Sequence, residues 1–285
     1  MAVLVALASG CGGGSGGSAS APAYHADDAT TASDRTGSHA DDDEDTPAPR
    51  TTPTRATSTR TTSTKTASTR TTPARTTRPS TPAGCPNNSL EHCFTYSGME
   101  AFYKEAIKFV DQFMAGSYKN MPRPAHYYYL RHGMTASGPC GGPDDTAYEY
   151  CPANDSVYLG QDSLWEFYRE TGDAGAVVGL AHEVGHHIQT TARVPLPSTA
   201  AQGIRHENQA DCIAGAFVRF ADGKGWLEYP DDLNDLDALL RKIASAEGPD
   251  RDHGTLAERT RSMRLGINGG LKACNPFFPA TPVIS

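Results

Sequence analysis

A chain of 285 residues has room for two ordinary domains, but only 38% of its residues are apolar and the polar excess lies in the first 84 positions. What remains is one domain of about 200 residues, large enough to bury a proper core. Residues 12–84 carry eight acidic and eight basic side chains, which cancel, so the formal charge of −8 belongs to the C-terminal part and argues against nucleic acid and anionic surfaces as partners.

Residues 1–11, MAVLVALASGC, are apolar, end in small side chains and stop at a lone cysteine. They are similar to the end of a bacterial lipoprotein signal, with Cys11 as the lipidation site; a cleaved secretory signal is the alternative. No other stretch approaches the ~18 apolar residues of a membrane span.

Residues 12–84 form a Ser/Thr/Pro/Arg-rich linker. Basic residues recur every five positions, at Arg50, Arg55, Arg60, Lys65, Arg70 and Arg75. With no apolar periodicity to offset the entropy of ordering, this segment is expected to be disordered. It reads as a stalk, glycosylated on Thr or a plain spacer, and its basic repeat is a candidate for contact with acidic cell-wall polymers.

The expected folded domain covers residues 85–285. Ser97–Glu100 fits an S-x-x-E capping box, and Met99, Phe102, Tyr103, Ile107, Val110, Phe113 and Met114 follow a helical period. Pro122 and Pro124 close that helix. Short strands are expected at Tyr127–Leu130 and Ser156–Leu159, with a Gly/Pro-rich loop from Gly138 to Pro152 between them. A short helix over Asp162–Thr171 follows.

The next helix, opening near Asp173, carries AHEVGHHIQ, with His182, Glu183 and His186 in the order H-E-x-x-H. Residues four apart share one helix face, so one ion can reach both imidazoles, and Glu183 is placed to take a proton from a water on that ion. His187 reads as a supporting or surface group. After a proline loop, residues 200–221 form a helix with Glu207 and Asp211 four apart. Zinc in hydrolases commonly takes two His and one carboxylate, leaving a fourth position for water. This assigns one Zn2+ to His182, His186 and Glu207, with Asp211 accepting the N–H of His182. His206 ranks second to Glu207, being turned about 100° away on the helix. Asn234–Glu247 reads as a packing helix. Beyond it, His253 is the best candidate to stabilise an oxyanion opposite the metal, and Arg259 to orient it or to pair with a nearby acid.

Once Cys11 is set aside, six cysteines remain, with 15 formal pairings. Short loops favour Cys85–Cys93 and Cys140–Cys151, which leaves Cys212–Cys274.

HEVGHH, ENQADCIAG and DHGTLAER together resemble the motifs of the neutral zinc metallopeptidases of bacteria, over roughly 101–277. Cys140, Cys151-Pro152 and Val157-Tyr158-Leu159 also look like that family's C-G…Y-C-P…VYLD stretch, with Gly160 where an Asp is usual. The resemblance implies an α+β, mainly helical, zincin-like catalytic domain with a short antiparallel edge hairpin. It implies metal binding by His182, His186 and Glu207, with Glu183 as base. The resulting expectation is an endopeptidase acting on peptide or protein substrates. Its place would be the outer face of the bacterial membrane, held by a lipid anchor, or the medium after secretion. A zinc amidase acting on peptidoglycan and a catalytically idle, metal-stabilised surface module are the alternatives. Val157–Leu159 is expected to be an edge strand that pairs with extended substrate.

Overall fold

The computed structural model describes residues 85, 90–228, 230–246, 248 and 251–285. The signal with Cys11 and the linker lie outside the described residues. Within them the chain is mainly helical, with one small mixed sheet. Helix α1 (Met99–Ser117) buries Met99, Phe102, Tyr103, Ala106, Phe109, Val110, Phe113 and Met114, the stripe its periodicity foretells. Its capping box does not form. Gly98 is the N-cap residue and makes no side-chain cap, while Glu100 is drawn to Lys104 and Arg131.

Three strands follow: β1 (His126–Leu130), β2 (Tyr148–Cys151) and β3 (Ser156–Gly160), in the order β1-β3-β2. β2 and β3 make the antiparallel hairpin, and β1 runs parallel to β3. Two expectations are corrected. β2 lies within the segment read as a loop, because a four-residue strand bounded by Gly, Pro and Asp carries almost no period of its own. And β3 is the central strand, paired on both sides and buried throughout, so Val157–Leu159 offers no edge to a substrate.

Helix α2 (Gln161–Thr191) joins the two helices expected here, and the break between them survives as a kink at Gly172, with φ 70°. At Gly160, just before α2, an added Cβ would lie 2.1 Å from the Asp145 carbonyl oxygen. The loop entering β2 packs onto that position and leaves no room for an Asp side chain.

Helices α3 (Ala200–Gly223) and α4 (Asp231–Ile243) pack on α2, while α5 (Leu256–Gly269) packs chiefly on α3. α4 starts earlier than expected, with Asp231 and Asp232 in its first turn, where acids favour a helix N-terminus. α3 and α5 approach closely: a Cβ on Gly215 or Gly266 would come within 2.1 Å or 1.8 Å of the facing backbone. α5 is held at its start by a capping box, Thr255 with Glu258. The disulfides are Cys85–Cys93, Cys140–Cys151 and Cys212–Cys274, and the last fastens the 3-10 segment Leu271–Phe277 to α3. Among the described residues, no helix is long and apolar enough to cross a membrane.

Candidate metal centre

The second half of α2 is buried on all sides from Gly175 to Gln189. That rigid surround fixes His182 and His186 one turn apart, with ring centroids 4.8 Å from each other. α3 crosses α2 where Gly185 meets Ala210; a Cβ on Gly185 would be 3.3 Å from the Ala210 Cα. This close crossing brings Glu207 to the imidazoles. Its Oε2 lies 3.1 Å from His182 Nε2, and its Oε1 lies 3.4 Å from His186 Nε2. One ligand atom from each of the three residues falls within 4.8 Å of the other two.

The opposite nitrogens are also held. His182 Nδ1 donates to Asp211 Oδ1 at 2.9 Å, and His186 Nδ1 donates to Gln189 Oε1 at 2.8 Å. Both acceptors favour the tautomer that keeps Nε2 for a metal. Two convergent imidazole nitrogens and a carboxylate, all buried, are a donor set that suits Zn2+.

The electrostatics follow from burial and pairing. Burial lowers the pKa of His182, but the hydrogen bonds to Asp211 and Glu207 outweigh it and lift it to about 10. Burial raises Glu207, yet the paired imidazoles hold it well below the usual carboxylate range. Glu183 is itself buried. Burial pushes its pKa up, while His182 and His186 and the Tyr150 N–H on its carboxylate pull it down.

The remaining candidates fall as follows. His253 reaches the site from the loop before α5: its Nε2 is 3.6 Å from Glu207 Oε2 and has no hydrogen-bond partner, while its Nδ1 is held by Asp252 at 2.7 Å. Arg259 is fully buried and turns to Asp211, 3.1 Å away, rather than to His253. His206 is stacked flat on His186, with burial pushing its pKa down to about 3, and offers no atom to the cluster. His187 bridges Asp155 and the Pro122 carbonyl, well apart from the ligands.

Sequence reasoning missed two groups. Gln189 holds His186 and also donates to the His206 carbonyl and to Gln209 Oε1. Its position three residues after His186, on the same helix face, is the signal that would have found it. Glu149 sits on β2, and burial, together with the charges of Glu183 and Asp144, lifts its carboxyl to about 7. The alternation of Tyr148, Glu149 and Tyr150 sets its side chain apart from its buried neighbours.

A buried H-E-x-x-H helix crossed by an E-x-x-x-D helix is the arrangement expected of the zinc-dependent metallopeptidase class. The chain belongs to one family of that class: residues 101–277 match the profile described as "Putative neutral zinc metallopeptidase". It is 31% identical over 177 residues to "Uncharacterized protein YpfJ" of Escherichia coli (strain K12), covering 52% of this chain and 60% of that protein. It is 29% identical over 184 residues to "Uncharacterized protein Rv2575" of Mycobacterium tuberculosis (strain ATCC 25618 / H37Rv), covering 53% and 62%. The matched part thus spans about three fifths of the length of these relatives. No solved structure matches the chain.

Proposed function

We propose that the protein is an endopeptidase that hydrolyses peptide bonds at a single zinc site formed by His182, His186 and Glu207. The observation that carries this reading is the convergence of both Nε2 atoms on the Glu207 carboxylate, with buried Glu183 adjacent. When bound there, zinc supplies a Lewis acid that polarises the substrate carbonyl and lowers the pKa of a water to near 7. Glu183 would accept a proton from the attacking water as the water oxygen bonds to the carbonyl carbon. As the C–N bond breaks, Glu183 passes the same proton to the leaving amine. His253, with Nδ1 tied to Asp252 and Nε2 free, donates to the oxygen on which negative charge develops. Asp211 and Gln189 keep the two ligand rings in place.

Extended substrate is assigned to the β2 side of the sheet, where Glu149 and the Tyr150 N–H lie beside Glu183. The three disulfides support a location in an oxidising compartment, which fits an enzyme anchored outside the cell or secreted.

The test uses zinc-loaded protein and its Glu183→Gln variant on unfolded protein substrates and, in parallel, on peptidoglycan. Cleavage of internal peptide bonds that vanishes in the variant, at unchanged zinc content, is expected. Release of wall fragments with no cleavage of protein would replace this reading by an amidase. Inertness of both forms toward both substrates would leave a metal-stabilised module.

A further inference from the structure

A second cluster of acids lies at the other end of the α2 segment that carries the zinc ligands. We propose that Glu91, Asp173 and Asp235 bind a calcium ion. Ligand oxygens of the three residues lie within 4.8 Å of one another. They come from separate parts of the chain: the stretch inside the Cys85–Cys93 bridge, the turn of α2 just after Gly172, and α4.

Acidic clusters are common on surfaces, but this one has an interior. Asp173 is 5% exposed and its Oδ1 has no hydrogen-bond partner, while Glu91 hydrogen-bonds to the Asp173 carboxyl. A buried carboxylate oxygen left without a donor costs free energy unless a cation or proton meets it. A cavity of about 40 Å³ also borders Asp173, but its other walls are mostly apolar, among them Leu90, Phe109, Phe217 and Trp226, and it touches neither Glu91 nor Asp235.

The charges that weigh most on Asp173 are all negative: Asp232, Glu91 and Asp235. The exposed His92 touches only the outer member, Glu91, at 2.7 Å. The backbone is shaped around the cluster as well. A Cβ on Gly172 would lie 1.9 Å from Asp235 Oδ2, and that oxygen accepts the Ala174 N–H at 3.3 Å. The kink in α2 thus brings Asp235 down over the helix axis, next to Asp173.

Oxygen donors alone, unequally exposed and from three flexible side chains, suit a hard cation that tolerates irregular coordination, which is calcium rather than zinc or magnesium. The consequence is structural. The ion would join the N-terminal disulfide loop, the α2 kink and α4 at one point, and hold the base of the helix that bears His182 and His186.

The test is run on full-length, zinc-loaded protein. Calcium at about 100 times its Kd should raise Tm by ~5 °C or more, and terbium should show emission sensitised by Trp226. Asp173→Asn, which keeps the shape and removes a charge, should lose both responses while retaining zinc. Asp145→Asn, in the half-exposed group of His132, Asp145 and Asp162, should keep both. A wild-type protein indifferent to calcium and terbium would overturn the proposal and leave a proton-sharing carboxyl cluster. So would responses lost in Asp145→Asn and kept in Asp173→Asn.

Discussion

Arg259 Nη2 lies 3.1 Å from Oδ1 of Asp211, the same oxygen that receives the Nδ1 proton of His182. Neither side chain is exposed to solvent. A cation on α5 therefore neutralises the acid on α3 that orients His182 on α2. Arg259→Met should strand the Asp211 charge and destabilise the fold by ~3–5 kcal/mol, read from the urea midpoint. Asp211→Asn, which keeps the shape, should weaken zinc by ~10–100-fold in a chelator competition. An unchanged zinc affinity in Asp211→Asn would remove its orienting role.

His253 makes a different kind of contribution if it donates to developing charge. His253→Phe should lower kcat by ~100–1,000-fold with little change in zinc content. KM should move far less than kcat, since the contact strengthens only in the transition state. A loss of bound zinc instead would make His253 part of the metal's surroundings and not of the chemistry.

The α3–α5 contact depends on missing side chains. Gly266→Ala would push a Cβ to 1.8 Å from the Cys212 carbonyl oxygen. Both partners are helix backbone, so the helices must separate, at a cost of ~1–3 kcal/mol or more. Gly223→Ala, whose Cβ meets nothing within 4 Å, is the control and should leave thermal unfolding almost unchanged.

The buried acids set the pH dependence. Burial and the neighbouring acids raise Asp173 to about 9 and Asp235 to about 7. Asp231, Asp232 and Glu91 face them, with His92 at the rim. The folded state thus binds more protons than the unfolded chain between an ordinary carboxylate pKa, about 4, and those values. Without calcium, this part of the stability is fully present below about pH 4 and is lost as pH rises toward 9. Urea midpoints at several pH values should slope downward in chelator. The slope should flatten in Asp173→Asn or with calcium added.

The parts of this architecture that the sequence makes legible are those whose signal is local and periodic. The His182–His186 spacing, the Glu207–Asp211 spacing and the apolar stripe of α1 each lie within a few helical turns. Disulfide pairing followed from loop length. What escaped was set by distant packing. β2 pairs with β3 in a hairpin, but β3 becomes central only because β1 adds in parallel from 30 residues upstream, at His126↔Ser156. The Ser97 cap does not form because the 3-10 turn Tyr96–Gly98 precedes α1 and moves its N-cap to Gly98. No short-range rule could gather Glu91, Asp173 and Asp235, which lie far apart along the chain and meet only after α4 folds onto α2.

The Cys212–Cys274 bridge has a consequence for how the protein is made. A chain emerges N-terminus first, so His182, His186 and Glu207 all leave the ribosome well before Cys274, 62 residues beyond its partner. The ligands are thus complete while the clamp on their helix is still being synthesised. During that interval Cys212 is a thiol without its partner and is open to pairing with a wrong cysteine. Correct pairing of Cys212 therefore comes only after α3 and α5 have both been made.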